Sequence, residues 1–226
     1  MEHAFLEKLN SLPSLKKKLD FVDSSLDLIG IGTARKVYKF GDKVLKIAKD
    51  NRGIAQNKEE VKVSKENNKL FTIVFEVDPK FSWIVAEKAE PCTEEKFRSI
   101  YGISYDDFYG FMFCLEMNVK PGTNPRRLLD TLVSKEFKVP MIDVFLSWHQ
   151  YKRTGNKALN KYGISNKCGN FLTRCYQYKM SHPEFVADEL ATMENVGIVN
   201  RDGKLSAVII DSGMSKDVLL QLYDGK

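Results

Sequence analysis

A lysine within an apolar run, and two glutamates shortly after it, are the first candidates for chemistry. Lys46 is flanked on both sides by apolar residues, and Glu59 and Glu60 follow in a segment of helical composition. A strand lysine of this kind has its stem within the protein and its ammonium aimed at an anion, and either glutamate could reach back to pair with it. Taken alone, Lys46 is equally typical of a strand lysine that reaches solvent, and the glutamates are equally typical of an exposed helix face.

Two glycines form a second candidate site in the pattern Gly30-x-Gly32-x-x-x-x-Val37. Glycine lets a backbone turn approach the oxygens of an anion closely, because no Cβ atom is in the way. An ordinary β-turn is the alternative explanation of the same pattern.

Two oxygen-bearing side chains late in the sequence have the chemistry of cation ligands. Asp211 follows an apolar run and precedes Ser212-Gly213, and Asn195 lies sixteen residues earlier. A carboxylate at the end of a buried strand suits a cation site, to which an amide oxygen can contribute a second ligand. A turn or capping role is the alternative for both residues.

The elements that must position these residues follow from the periodicity of the apolar side chains. Residues 36–40 and 43–47 alternate on either side of Gly41-Asp42, which predicts a β-hairpin carrying Lys46. On its second strand, Lys46 shares a face with Val44 and Ala48. Residues 70–77 and 83–86 predict a second hairpin in the same way.

Helical patterns flank this β-rich part. Residues 3–22 are helical with a break at Pro13, residues 54–67 form a second helical segment, and the chain from residue 93 is mainly helical, with one last hairpin at 197–210. We therefore expect an α+β fold with two lobes. Its expected parts are a helical extension at 1–25, a β-rich lobe at 26–91 and a helical lobe at 92–226.

The composition excludes several classes of protein. The chain has 226 residues, of which 43% are hydrophobic and 29% charged, as in an ordinary globular protein. A net charge of +5 suits an anionic ligand, but no stripe of arginine and aromatic residues indicates nucleic-acid binding. The four cysteines and three histidines lack the spacing of zinc ligands, and no apolar stretch reaches the roughly 18 residues of a membrane span. We expect a reduced, cytoplasmic protein with mostly buried thiols.

The order of these features resembles that of the protein-kinase superfamily. A glycine turn, a hairpin with a lysine, a helix with a glutamate, a second hairpin, helices, an asparagine and an aspartate-x-glycine follow one another over residues 26–214. The chain looks closest to small divergent members, the aminoglycoside-phosphotransferase-like enzymes and the kinase-like proteins of some bacteriophages. The resemblance implies a two-lobed kinase-like fold with a small antiparallel β N-lobe and a mainly helical, truncated C-lobe, located in the host cytoplasm if the protein is phage-encoded.

The resemblance also implies a phosphate-binding site. Gly30 and Gly32 would form the loop that covers the phosphates of ATP, and Lys46 would contact the α- and β-phosphates. Glu60 would pair with Lys46, with Glu59 as the alternative.

An adenine site and a magnesium site are implied in the same way. Val37 would lie over the adenine, and the backbone from Glu87 to Ala89 would hold its edge. Asn195 and Asp211 would hold Mg²⁺, with Asp211 at the position of the aspartate in the D-F-G motif.

Three departures from the family pattern concern catalysis. Arg35 stands where the third glycine of the loop is found, and Ser212 replaces the phenylalanine after the metal-binding aspartate. The family has its catalytic aspartate five residues before the metal-binding asparagine, and that position is Leu190 here. Asp188 and Glu189 are the nearest carboxylates, and either is a candidate catalytic residue.

Three functions are compatible with the sequence. The first is an ATP- and Mg²⁺-dependent phosphotransferase with an unknown acceptor. The second is a catalytically inactive, pseudokinase-like binding or scaffold protein, with a protein partner bound through the helical lobe. The third is a helical interaction module without a nucleotide site, which predicts that Lys46 and Asp211 lie far apart. Only fifteen residues follow Asp211, so a peptide substrate presented by an activation segment is not expected.

Overall fold

The structure is a computed structural model that describes residues 2–66, 69–117, 141–150, 161–162, 164–184, 193–211, 218 and 220. The chain forms two compact units, one of residues 1–89 and 210–226 and the other of residues 90–209. The helices and strands of the first unit are α1 (Glu2–Ser11), α2 (Leu15–Ser25), β1 (Leu28–Ile31), β2 (Arg35–Phe40), β3 (Lys43–Ala48), α3 (Asn51–Glu66), β4 (Val74–Val77) and β5 (Trp83–Glu87). Those of the second unit are β6 (Glu90–Pro91), α4 (Glu94–Tyr101), α5 (Tyr105–Glu116), α6 (Met141–Gln150), α7 (Asn166–Ser181), β7 (Val196–Arg201) and β8 (Lys204–Ile209).

The first unit is built on a five-stranded antiparallel sheet with the strand order β1-β2-β3-β5-β4. The hairpin predicted around Gly41 is confirmed, and Gly41 has the positive φ of 60° that favours glycine in such a turn. Its register pairs Phe40 with Lys43 and Val37 with Lys46. In the strand order given above, the central strand is β3, which carries Lys46.

One face of this sheet is covered by the two N-terminal helices. Leu6 and Leu9 of α1 and Val22 of α2 belong to one buried cluster with six strand residues. Those six alternate along their strands, as expected for side chains on a single face, and are Tyr38, Phe40, Leu45, Ile47, Trp83 and Val85. The break between α1 and α2 falls at Pro13, and Ser14 caps α2 by accepting a hydrogen bond from the backbone of Lys17.

Helix α3 begins directly after β3 and packs closely on it. Asp50 holds the first turn, because its Oδ1 accepts hydrogen bonds from the backbone N–H groups of Arg52 and Gly53. A Cβ atom on Gly53 would lie 2.3 Å from the carbonyl oxygen of Ala34 and 2.8 Å from the Cα of Ala48. Glycine therefore lets α3 approach the end of β3 more closely than any other residue would.

The second unit combines a three-stranded antiparallel sheet, β6-β7-β8, with helices. The predicted last hairpin corresponds to β7 and β8. The third strand of this sheet, β6, was not predicted, because it is only two residues long and contains Pro91. Its helices pack through aromatic side chains, among them Phe97, Tyr101, Phe108 and Phe171.

The expected α+β class is confirmed. The first unit carries the five-stranded antiparallel sheet, and the described part of the second unit is mainly helical, which is consistent with a kinase-like fold. All four cysteines are buried and unpaired, as expected for thiols that serve as small apolar side chains. Among the described helices, none combines the length and the apolar character needed to cross a bilayer.

Candidate functional site: a buried network of two cations and two carboxylates

Lys46 is the first member of a buried polar network in the sheet unit. Its side chain is 8% exposed. The Nζ atom donates one hydrogen bond to Glu60 Oε1 at 2.6 Å and another to the carbonyl oxygen of Ile210, also at 2.6 Å. Because Leu45 and Ile47 face α1 and α2, strand alternation turns Lys46 to the opposite face, where α3 lies.

Glu60 is the carboxylate that organises this network. It lies on α3 with no exposed surface, and its second oxygen, Oε2, accepts a hydrogen bond from Arg35 Nη1 at 2.6 Å. The neighbouring Glu59 points elsewhere, since its Oε1 lies 3.4 Å from Nζ of Lys62. Of the two glutamates that the sequence left open, Glu60 is thus the one paired with Lys46.

Arg35 is the member of the network that sequence analysis missed. In the sequence, Arg35 stands out only as a departure from the glycine pattern, yet its guanidinium is buried and bridges two carboxylates. Nη1 donates to Glu60 Oε2 and, at 3.2 Å, to Asn57 Oδ1, while Nη2 donates to Asp211 Oδ1 at 2.6 Å. The register of the hairpin was the available signal. The numbers of two residues that pair across the Gly41 turn add up to 83, so Arg35 pairs with Ala48. Arg35 therefore lies on the same face of the sheet as Lys46.

Asp211 completes the network at its more open side. Its side chain is 41% exposed, whereas that of Arg35 is 5% exposed. Lys46 contacts the residue before Asp211, and Arg35 contacts Asp211 itself. The separation of Lys46 and Asp211 that an unrelated helical module predicts is therefore not found.

The glycine pair and Val37 border the same face of the sheet. Gly30 pairs with Val37, and Val37 pairs with Lys46. Neither Gly30 nor Gly32 has a positive φ. A Cβ atom on either would meet its nearest neighbour at 3.7 Å, an ordinary contact. The protein's own packing therefore does not require glycine at these two positions.

The remaining predicted residues lie at the end of β5, in the other compact unit, or outside the described part of the chain. Glu87 ends β5, three residues beyond the partner of Lys46 and so roughly 10 Å along the strand, and Ala89 follows it, half-buried. Asn195 belongs to the other compact unit, in a 3₁₀ turn at Met193–Asn195. Asp188 and Glu189 fall outside the described residues.

The carboxylate expected to hold magnesium, Asp211, is committed in part to an ion pair with Arg35. Magnesium is held in near-octahedral geometry by oxygen ligands such as carboxylates. The expected ligand Asp211 has one oxygen engaged by a guanidinium. Among the residues that the structure describes, no group of three or more His, Cys, Asp or Glu side chains could hold a metal ion.

The likenesses of this chain to known proteins are structural. No protein-family model matches the sequence, and no curated protein matches it. Among solved structures, the chain is similar to the ADP-bound aminoglycoside phosphotransferase APH(2'')-Ib, with 16% sequence identity over 94% of this chain and 75% of that one and a TM-score of 0.31. At this TM-score the two backbones agree only in part, so the fold and the site rest on the chain's own geometry.

Proposed function

We propose that this protein binds a nucleotide of the ATP type, with the phosphates on the face of the sheet that carries Lys46. The observation that supports this proposal is the pair of buried cations, Lys46 and Arg35, held on the two oxygens of one buried carboxylate, Glu60. Burying charge is costly unless it is paired. A sheet face that keeps two fixed cations at one place is suited to an anionic ligand.

The donor count at Lys46 supports the same proposal. An ammonium group has three N–H donors. Within the described part of the chain, two of them go to Glu60 and to the carbonyl oxygen of Ile210. The third is left for a phosphate oxygen.

The glycines supply room for such a ligand. Because packing within the protein would tolerate a Cβ atom at Gly30 and Gly32, the advantage of glycine there lies in what the loop can approach. A loop without side chains can bring its backbone N–H groups against phosphate oxygens. By the family resemblance, Val37 would then cover the adenine, and the backbone from Glu87 to Ala89 would hold its edge.

Phosphoryl transfer is a second candidate function, and the Lys46–Glu60 ion pair favours it. In protein kinases the corresponding lysine–glutamate pair must be in place for activity, because the lysine positions the phosphates. Asp188 or Glu189 would orient the hydroxyl of the acceptor. Measuring ATP turnover in Asp188→Asn and Glu189→Gln tests this role. A single slow variant identifies the residue, and turnover equal to wild type in both contradicts the assignment.

Thermal denaturation with and without ATP tests nucleotide binding. A ligand at about 100 times its dissociation constant adds roughly 2.7 kcal/mol to the free energy of unfolding, so the melting temperature of the wild type should rise. Lys46→Met should lose this rise. Lys18→Met is the matched control, because Lys18 is a lysine of similar burial in the same unit, bonded to Asp78 and Ser82.

Two outcomes would contradict nucleotide binding at this site. One is a wild-type melting temperature that ATP leaves unchanged at millimolar concentration. The other is a rise that persists in Lys46→Met. A rise without any ATP turnover would instead indicate a pseudokinase-like binding protein.

A further inference from the structure

The position of Arg35 gives it access to the same ligand as Lys46. Arg35 is the first residue of β2 and lies opposite Ala48, two residues from Val37, which lies opposite Lys46. Side chains two residues apart on a strand share a face, so Arg35 and Lys46 project to the same side of the sheet. Both meet on Glu60.

The guanidinium is held rigidly in this position. Asn57 accepts from Arg35 Nη1 through Oδ1 and donates through Nδ2 to the carbonyl oxygen of Phe81 at 2.8 Å. That second bond fixes which end of the amide faces Arg35. Burial alone would lower the pKa of Arg35, but the charges of Asp211 and Glu60 and the hydrogen bonds to them outweigh it, and the pKa is raised. Arg35 is therefore a fixed, permanently charged group.

The charges within the network balance without a metal ion. Lys46 and Arg35 contribute two positive charges, and Glu60 and Asp211 contribute two negative charges. A divalent cation at Asp211 would have to sit beside the guanidinium that already occupies Oδ1, and the two positive charges would repel each other. Guanidinium, in turn, is well suited to binding phosphate through paired N–H donors.

We infer that Arg35 is a built-in cation that takes the place of a divalent metal ion, so that the nucleotide binds without Mg²⁺. This inference rests on the proposed nucleotide site. Lys46 and Arg35 together donate hydrogen bonds to the phosphate oxygens, and Asp211 anchors the guanidinium instead of ligating a metal. Arg35 is thus a phosphate-binding residue, and it makes the site independent of metal.

Calorimetric titration of the full chain with ATP, in Mg²⁺ and separately in EDTA, tests the inference on the wild-type protein. The two dissociation constants should differ by less than about tenfold, which corresponds to about 1.4 kcal/mol. A dissociation constant more than about tenfold lower in Mg²⁺ overturns the inference and leaves nucleotide binding in place. Absence of binding in both buffers overturns the proposed nucleotide site, and the inference with it.

Variants of Arg35 extend the test to the residue itself. Arg35→Gln should weaken binding in EDTA by at least about tenfold, and Mg²⁺ should restore part of the loss. Arg35→Lys keeps the charge but loses the fork of donors, so it should bind more weakly than wild type and remain insensitive to Mg²⁺. Arg52→Gln is the matched control, since Arg52 pairs with Asp50 at the same 2.6 Å on the surface of the same unit.

The variants also yield results that overturn the inference. Binding by Arg35→Gln equal to that of Arg52→Gln in EDTA would remove Arg35 from the site. Circular dichroism establishes that each variant is folded. If the Arg35 variants do not fold, the comparison of the two buffers in the wild type decides alone.

Discussion

Replacing Glu60 by glutamine removes the charge that holds both buried cations. Glu60 accepts one hydrogen bond from Lys46 and one from Arg35, each at 2.6 Å, and has no exposed surface. Hydrogen bonds to charged groups contribute about 1.5–3 kcal/mol each. A glutamine can still accept from one cation, but it turns an amide donor toward the other. We expect Glu60→Gln to lower the free energy of unfolding by about 3–5 kcal/mol, the range for breaking a buried ion pair.

The adjacent glutamate provides a matched control for this change. Glu59 is on the same helix, carries the same side chain, and lies 3.4 Å from Lys62, whose side chain is 49% exposed. Exposed pairs one turn apart contribute about 0.3–0.5 kcal/mol. Glu59→Gln should therefore change the free energy of unfolding by no more than about 0.5 kcal/mol.

Urea unfolding followed by tryptophan fluorescence can measure this difference in the sheet unit alone. The chain has two tryptophans, Trp83 in β5 and Trp148 in α6, one in each compact unit. In a Trp148→Phe background, the remaining fluorescence reports on the sheet that carries Lys46. The buried network requires Glu60→Gln to lose far more free energy of unfolding than Glu59→Gln. If the two losses agree within about 1 kcal/mol, the network is refuted.

Two further predictions concern the sheet unit. Gly53→Ala should lower the free energy of unfolding by about 1–3 kcal/mol, because the new Cβ would lie 2.3 Å from the carbonyl oxygen of Ala34. Within a helix, alanine is ordinarily more stabilising than glycine by about 1 kcal/mol. A gain in thermal stability on this substitution would therefore contradict the close packing. The second concerns Asp78: burial would raise its pKa, but hydrogen bonds from Ser82 and the charge of Lys18 outweigh burial and hold it below the ordinary 3.8. A lowered pKa stabilises the folded protein fully above pH 3.8, and the contribution is lost as pH falls through the folded value. The free energy of unfolding, measured by urea titration at each pH, should accordingly fall less for Asp78→Asn than for wild type below pH 3.8. If the two proteins lose stability in parallel as pH falls, the result counts against the Asp78 contacts.

The central hairpin could be predicted from the sequence because its determinants are local. Alternating side chains on both sides of Gly41 set the strands, and a two-residue connection sets the register. Once the register is known, the face of Lys46 follows. The strand predicted at 70–77 is shorter in the structure, where it covers Val74–Val77. Leu70 and Phe71 are buried outside the strand, so their apolar character reflects burial and not the alternation of a strand.

The role of Arg35 could not be predicted with the same certainty, because its partners are distant in sequence. Glu60 lies 25 residues away and Asp211 lies 176 residues away. The predicted strand also began at residue 36, one residue too late to include Arg35 in the alternation. Comparison with a glycine pattern identified the residue only as an exception, whereas its charge and its strand position would have placed it beside Lys46.

The long separation between Arg35 and Asp211 has a consequence for the order of events during synthesis. Arg35, Lys46 and Glu60 leave the ribosome together, and about 150 further residues are made before Asp211 appears. Until Asp211 is made, the network has two cations and one carboxylate, Glu60. Arg35 therefore gains its second carboxylate partner, Asp211, only after the other members of the network have been made.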